Sequence, residues 1–142
     1  MPTIPPPLGK LRIVIIADPG APGDMGLVYE QRVRHRLYGA TFVLTTDANV
    51  ANRYVSWQIY SVGASTPTAI CTLAQTAGTA RQYHWAVGHP ALATNVGNHI
   101  YTPMPDDMWA EGLLFFQTTT ENIQAGDTFT NIGLLVEEWI EP

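Results

Sequence analysis

The sequence predicts an all-β fold: an antiparallel β-sandwich, jelly-roll-like, with an extended Pro-rich N-terminal arm. Three observations carry this. Apolar and polar residues alternate at period two in one run after another. Gly, Asn, Pro and Asp separate the runs at roughly regular spacing. No segment sustains a helical period, and short strands without helices pack as sandwiches or jelly rolls.

The elements follow in chain order. Pro2, Pro5, Pro6 and Pro7 crowd the first ten residues. Proline fixes φ and has no amide hydrogen, so this stretch is expected to be an extended arm. It is expected to dock on a partner through Pro2, Ile4, Pro5, Pro6, Pro7 and Leu8. LRIVIIADP, Leu11 to Pro19, is dense in β-branched residues and predicts a first strand. PGAPGDMG, Pro19 to Gly26, is turn chemistry. A boundary there divides the chain into residues 1–26 (arm, first strand and Pro/Gly-rich loop) and residues 27–142 (sandwich domain).

Within the domain, the run from Arg36 to Thr46 sets Tyr38, Ala40, Phe42 and Leu44 on one face. Asn52 to Val62 does the same for Val55, Trp57 and Ile59. Thr68–Ala74, Thr79–Val87 and His99–Met104 predict weaker or shorter strands. Asp106–Glu111 allows one helical turn and no more. Gly112–Thr120 begins apolar on both faces, with Phe115 expected in the core. The last run places Ile132, Leu134 and Val136 on one face, and Ile140 follows in phase.

Composition narrows the function classes. Charged residues are only 13% of 142, about half the usual share of ~25%, which suits a subunit whose surface is occupied by neighbours. Net charge is −5 with seven Lys and Arg, so there is no basic field for nucleic acid. No apolar run is long enough to span a membrane, and the N-terminus lacks the apolar stretch of a signal peptide. The single cysteine, Cys71, precludes an internal disulfide and reads as a small buried apolar residue.

Catalytic patterns are missing. His35, His84, His89 and His99 do not have metal-ligand spacing, although His84 and His99 meet if their strands pair. Glu137 and Glu138 are adjacent on a strand, so they point to opposite faces and form no catalytic pair. Ser56, Ser61 and Ser65 sit in no nucleophile elbow, and the glycines form no phosphate loop. No enzyme activity and no cofactor is expected. RVRHR places Arg32, Arg34 and Arg36 on one strand face. They are expected to form a charged edge that meets an acidic neighbour, such as the Glu137–Glu138 end of another copy. Tyr54, Tyr60, Tyr83, Trp85, Tyr101 and Trp109 are candidates for sugar stacking or subunit contacts.

Two stretches carry a resemblance. FVLTTDANVANRYV (Phe42 to Val55) and NIQAGDTFTNIGLLVEEW (Asn122 to Trp139), in that order, resemble segments of small tailed-phage virion proteins. The resemblance spans roughly residues 36–139, and its motifs build a fold rather than a catalytic site. It implies a capsid decoration (cement) subunit in the virion, assembled in the host cytoplasm. Its partners would be the major capsid protein or another virion protein, and further copies of itself as a dimer or trimer. A tail, neck or fibre-base component, or a receptor- or glycan-binding domain, is the alternative. The motif residues also have physical roles. Asp47, Asn49 and Asn52 suit a tight connection, and Arg53 is expected to pair with Asp47 or with a carboxylate across the loop. Gly126 is expected to supply a positive φ, and Asp127 to fix the last turn.

Overall fold

In the computed structural model, which describes residues 9–21, 23, 24, 26, 27, 33–61, 64–90, 93–106, 108–110 and 115–140, period-two alternation resolves into strands and no helix. The two longest, β3 (Val33–Thr45) and β11 (Thr128–Ile140), run antiparallel side by side. Around them forms a seven-stranded sheet with β1 (Lys10–Ile16), β6 (Ala80–Val87), β7 (Thr94–Val96), β8 (His99–Met104) and β9 (Trp109–Ala110). Its order is β1-β11-β3-β6-β8-β7, with β9 beside the start of β3. The second sheet, β2-β10-β4-β5, comprises β2 (Gly26–Leu27), β10 (Phe115–Glu121), β4 (Tyr54–Ser61) and β5 (Ala64–Ile70). Every pairing is antiparallel except β6 with β8. The exception arises because the chain leaves β6, forms β7, and turns back through Gly97 (φ 59°) into β8.

The inner faces of the two sheets share one core. Phe42 lies at its centre: its ring stacks on Tyr83 at 5.0 Å, meets Phe129 at 5.3 Å, and reaches Trp57 of the opposite sheet at 6.4 Å. Leu44, Val55, Phe116, Ile132, Leu134 and Val136 complete it, all essentially without solvent exposure. Asp24 fastens the β1–β2 connection to β10 by accepting bonds from the Thr118 hydroxyl (3.0 Å), the Thr120 hydroxyl (2.7 Å) and the Thr120 amide (3.1 Å).

Two irregularities in the β3–β11 ladder shift the expected faces. Leu135 pairs with Gly39 and Val136 with Leu37, so Tyr38 is an extra residue with no partner. Leu37 therefore joins Ala40, Phe42 and Leu44 in the core, while Tyr38 turns outward. On β11, Asn131 and Ile132 lie between residues paired to Val43 and Thr41. Asn131 takes φ 52° there, and the buried phase passes from Phe129 to Ile132.

Other expectations change as well. Where the sequence allowed one helical turn within Asp106–Glu111, the described residues Trp109 and Ala110 form a short strand that pairs with Arg36 and His35. The strand expected at Thr68–Ala74 ends at Ile70 and begins at Ala64, since the chain turns away at Cys71 to bridge Gln75 to Arg53. The boundary after Gly26 does not set β1 apart, because Lys10–Ile16 pair with Ile132–Glu138 and Val14 and Ile16 pack on the core. The side chains of Phe115 and Ile140 lie outside the described residues, and Phe116 takes the core position.

Removing the Phe42 ring leaves a cavity among three aromatic neighbours. Phe42→Ala should lower the unfolding free energy by about 3–5 kcal/mol, read from the urea midpoint at unchanged slope.

Candidate interaction surface

The interaction surface depends first on the loops at one end of the sandwich. Arg53, at the start of β4, has no exposure, yet all of its donors are used. Nε and Nη2 donate to Asp127 at 2.9 and 3.0 Å. Nη2 also reaches Asp47 at 2.9 Å, and Nη1 donates to the carbonyls of Asn49 (3.0 Å) and Ala51 (2.7 Å). Asp127 in turn accepts from the amides of Asp47 (2.9 Å) and Gln124 (2.8 Å). Asp47 accepts from the Asn49 amide and side chain, and from the Gly126 amide at 2.9 Å. The Asn52 carbonyl accepts from the Asn122 side chain at 3.0 Å.

The β3–β4 and β10–β11 connections are thus one unit. Gly126 is needed for space and not for φ: a Cβ there would lie 2.8 Å from Asp47 Cβ. The positive φ at that connection belongs to Asn122, at 59°. A third connection joins through Gln75, whose backbone pairs with that of Arg53. The Gln75 side chain donates to the Leu44 carbonyl at 2.8 Å and accepts from the Tyr83 hydroxyl at 3.0 Å.

With register held this way, the large sheet turns an apolar outer face to solvent. Leu11, Ile13 and Ile15 project from β1 with 62%, 69% and 77% exposure, and Leu135 stands beside them on β11. Gly39, Thr41 and Gly133 leave a shallow floor between them, and His84 and Val87 wall the far side. The concavity holds about 470 Å³. Burying each of these large side chains is worth about 1.5–3 kcal/mol, and contiguous apolar exposure of this kind marks contact surfaces. The sequence held a signal for it that our strand assignment left unused. LRIVII is apolar at nearly every position rather than at alternate ones, as in strands covered on both faces.

The charged groups lie at the other end of the same sheet, and their arrangement corrects the expected edge. β3 is not an edge strand, because β11 and β6 flank it and β9 pairs with its first residues. Arg36 is directly opposite Glu137, and Arg34 opposite Trp139, within one chain. Glu138 points inward to Arg12 and His35, both at 2.9 Å. Glu137 points outward, accepting from the Tyr38 hydroxyl at 2.8 Å and the Gly9 amide at 3.1 Å. Donating to Glu137 holds the Tyr38 phenol above its ordinary value, against the nearby Arg36 charge. Arg34 and Arg36 lie over the Trp109 ring at 5.9 and 5.4 Å, and Trp109 meets Trp139 at 5.0 Å. Arg32 and the arm residues Pro2, Ile4, Pro5, Pro6, Pro7 and Leu8 lie outside the described residues. Of the aromatics expected at the surface, Tyr83 and Trp85 are buried, because their phase on β6 faces the core.

The parallel β6–β8 pairing brings His84 and His99 together. His84 Nε2 lies 2.9 Å from His99 Nδ1, with the Tyr101 ring stacked on His84 at 4.8 Å. Partial burial and then the proximity of His99 hold His84 below its ordinary pKa. Among the described residues, no group of three or more His, Cys, Asp or Glu side chains is placed to hold a metal ion. Burial raises the Cys71 thiol, which disfavours the reactive thiolate.

No family model matches this chain, and no curated protein or solved structure matches it.

The loop network sets an acid limit. Burial alone would raise the Asp127 carboxyl, but bonds from Arg53 and from two amides, together with the Arg53 charge, hold it below its ordinary 3.8. Asp47 is depressed by the same balance: burial raises it, and the Asn49 and Gly126 bonds and Arg53 outweigh that. A carboxyl depressed in the folded state adds stability above its unfolded pKa and loses it as pH falls toward the folded value. Unfolding free energy should therefore decline below about pH 4. Asp127→Asn should flatten that decline and lower stability at neutral pH by about 3–5 kcal/mol. Urea titrations across the acid range check both.

Proposed function

We propose that this chain is a non-enzymatic structural subunit of a tailed-phage particle, a jelly roll that decorates the outside of the head and braces the shell. One observation carries the reading as a binding protein: the exposed apolar outer face of Leu11, Ile13, Ile15 and Leu135, which a partner covers. The phage setting is supported by the resemblance of residues 42–55 and 122–139 to small virion proteins.

The pairing order supports the jelly roll. β1 pairs with β11, β2 with β10, β3 with β6, and β4 with β5. These are the nested pairs of one long hairpin rolled into two sheets, with β7, β8 and β9 inserted before β10. The partners in this reading are the major capsid protein or another virion protein, and further copies of the chain. Its mechanism is binding energy, multiplied across the shell by repetition of the same contact.

A second reading, as a tail, neck or fibre-base component or a glycan-binding domain, is favoured by the Trp109–Trp139 pair beneath Arg34 and Arg36. Such a shelf is suited to a sugar ring. Copy number separates the two: hundreds per particle support decoration, and a dozen or fewer support the tail.

Particles assembled without this chain should release DNA at lower temperature than complete ones, and adding the purified protein back should restore the difference. Leu135→Lys protein should restore it poorly. Equal heat tolerance with and without the chain sinks the cementing role.

A further inference from the structure

Two sheets have four edges, and three of those in this fold are guarded against pairing with another chain. Among the described residues, β2 and β7 span only two and three positions. β5 carries Pro67, and its ladder with β4 is broken by a register shift. β1 has none of these protections. It is seven residues long and contains no proline, and its pairing with β11 runs unbroken from Lys10 to Ile16. Among the described residues no strand pairs with its other side. Its charges are confined to its first three residues, and Arg12 is already held by Glu138. Its outer face presents Leu11, Ile13 and Ile15 to solvent.

We propose that β1 pairs antiparallel with β1 of a second copy about a two-fold axis at Val14, joining the two large sheets into one. The inference rests on reading the chain as self-associating, and it needs no particle.

Side-chain alternation and charge select the register. A two-fold pairing keeps outward residues opposite outward residues only when the paired numbers sum to an even value. With Val14 opposite Val14, Ile13 is opposite Ile15 and Leu11 opposite Ala17. Continued two residues past the end of β1, the ladder sets Lys10 across from Asp18 of the second copy, at both ends. Lys10 and Asp18 are both exposed. Arg12 meets an apolar residue in either register, Ile16 when centred on Val14 and Val14 when centred on Ile13, but centring on Ile13 also sets Lys10 against Ile16 and leaves that charge without an acidic partner. Centring on Ile15 puts Pro19, which has no amide hydrogen, opposite Leu11. The Val14 register also brings the two outer faces to the same side, so Ile13 and Ile15 of both copies form one ridge.

Sedimentation equilibrium of the full chain tests this, with circular dichroism as the folding control. The wild-type chain should be dimeric at about 50 μM. Ile13→Lys/Ile15→Lys, at positions already exposed, should be folded and monomeric. Lys10→Asp and Asp18→Lys alone should each weaken the dimer by about tenfold, and the double variant should regain most of the loss. A monomer at every concentration overturns the proposal and the self-association reading together. A dimer that survives the two lysines overturns the edge pairing alone. A double variant no tighter than the single ones overturns the register.

Discussion

Arg53 is a fully buried cation whose guanidinium donors all end on protein oxygen atoms. Taking it out of water costs several kcal/mol before any partner is counted. What offsets that cost is the completeness of the arrangement. The bidentate contact with Asp127 uses planar geometry, Asp47 takes a further donor, and two backbone carbonyls accept the rest. Because its acceptors lie on separate connections, the network forms only when β3, β4, β10 and β11 are all in register. Gln75 extends it to the segment before β6. Much of the sandwich is thus indexed from one end.

The β3–β11 ladder is indexed differently. It carries an extra residue at Tyr38 and another at Asn131–Ile132. Each reverses the phase of its strand, and together they keep a continuous core of Leu37, Ala40, Phe42, Phe129, Ile132 and Leu134. The same shift places Tyr38 outside, where its hydroxyl links Arg36 to Glu137. The bulged ladder also leaves Gly39, Thr41 and Gly133 as the floor of the outer concavity. Core continuity and surface shape both follow from these two irregularities.

The glutamate pair shows how adjacency in sequence becomes separation in space. Glu138 is drawn inward to Arg12 and His35, and Glu137 outward to Tyr38 and Gly9. Arg36, opposite Glu137, and Arg34, opposite Trp139, are engaged within the chain, so the polar end of this sheet is largely self-satisfied. The surface left wanting a partner is the apolar half around β1. A structural subunit that binds neighbours has that need, and a low overall charge agrees with it.

Alternation and turn chemistry alone were enough to specify an all-β chain, most strand positions, the opposed faces of Glu137 and Glu138, and Asp47, Arg53 and Asp127 as a turn-fixing set. These are local properties, governed by a two-residue repeat and by side chains that bond nearby backbone. The sequence alone did not reveal the bulges, the inward phase of Tyr83 and Trp85, the steric reason for Gly126, or the in-chain pairing of Arg36 with Glu137. Each depends on which strand lies alongside which. Tertiary structure decided that pairing, because residues more than a hundred apart in sequence become neighbours only when the two ends of the chain enter the same sheet.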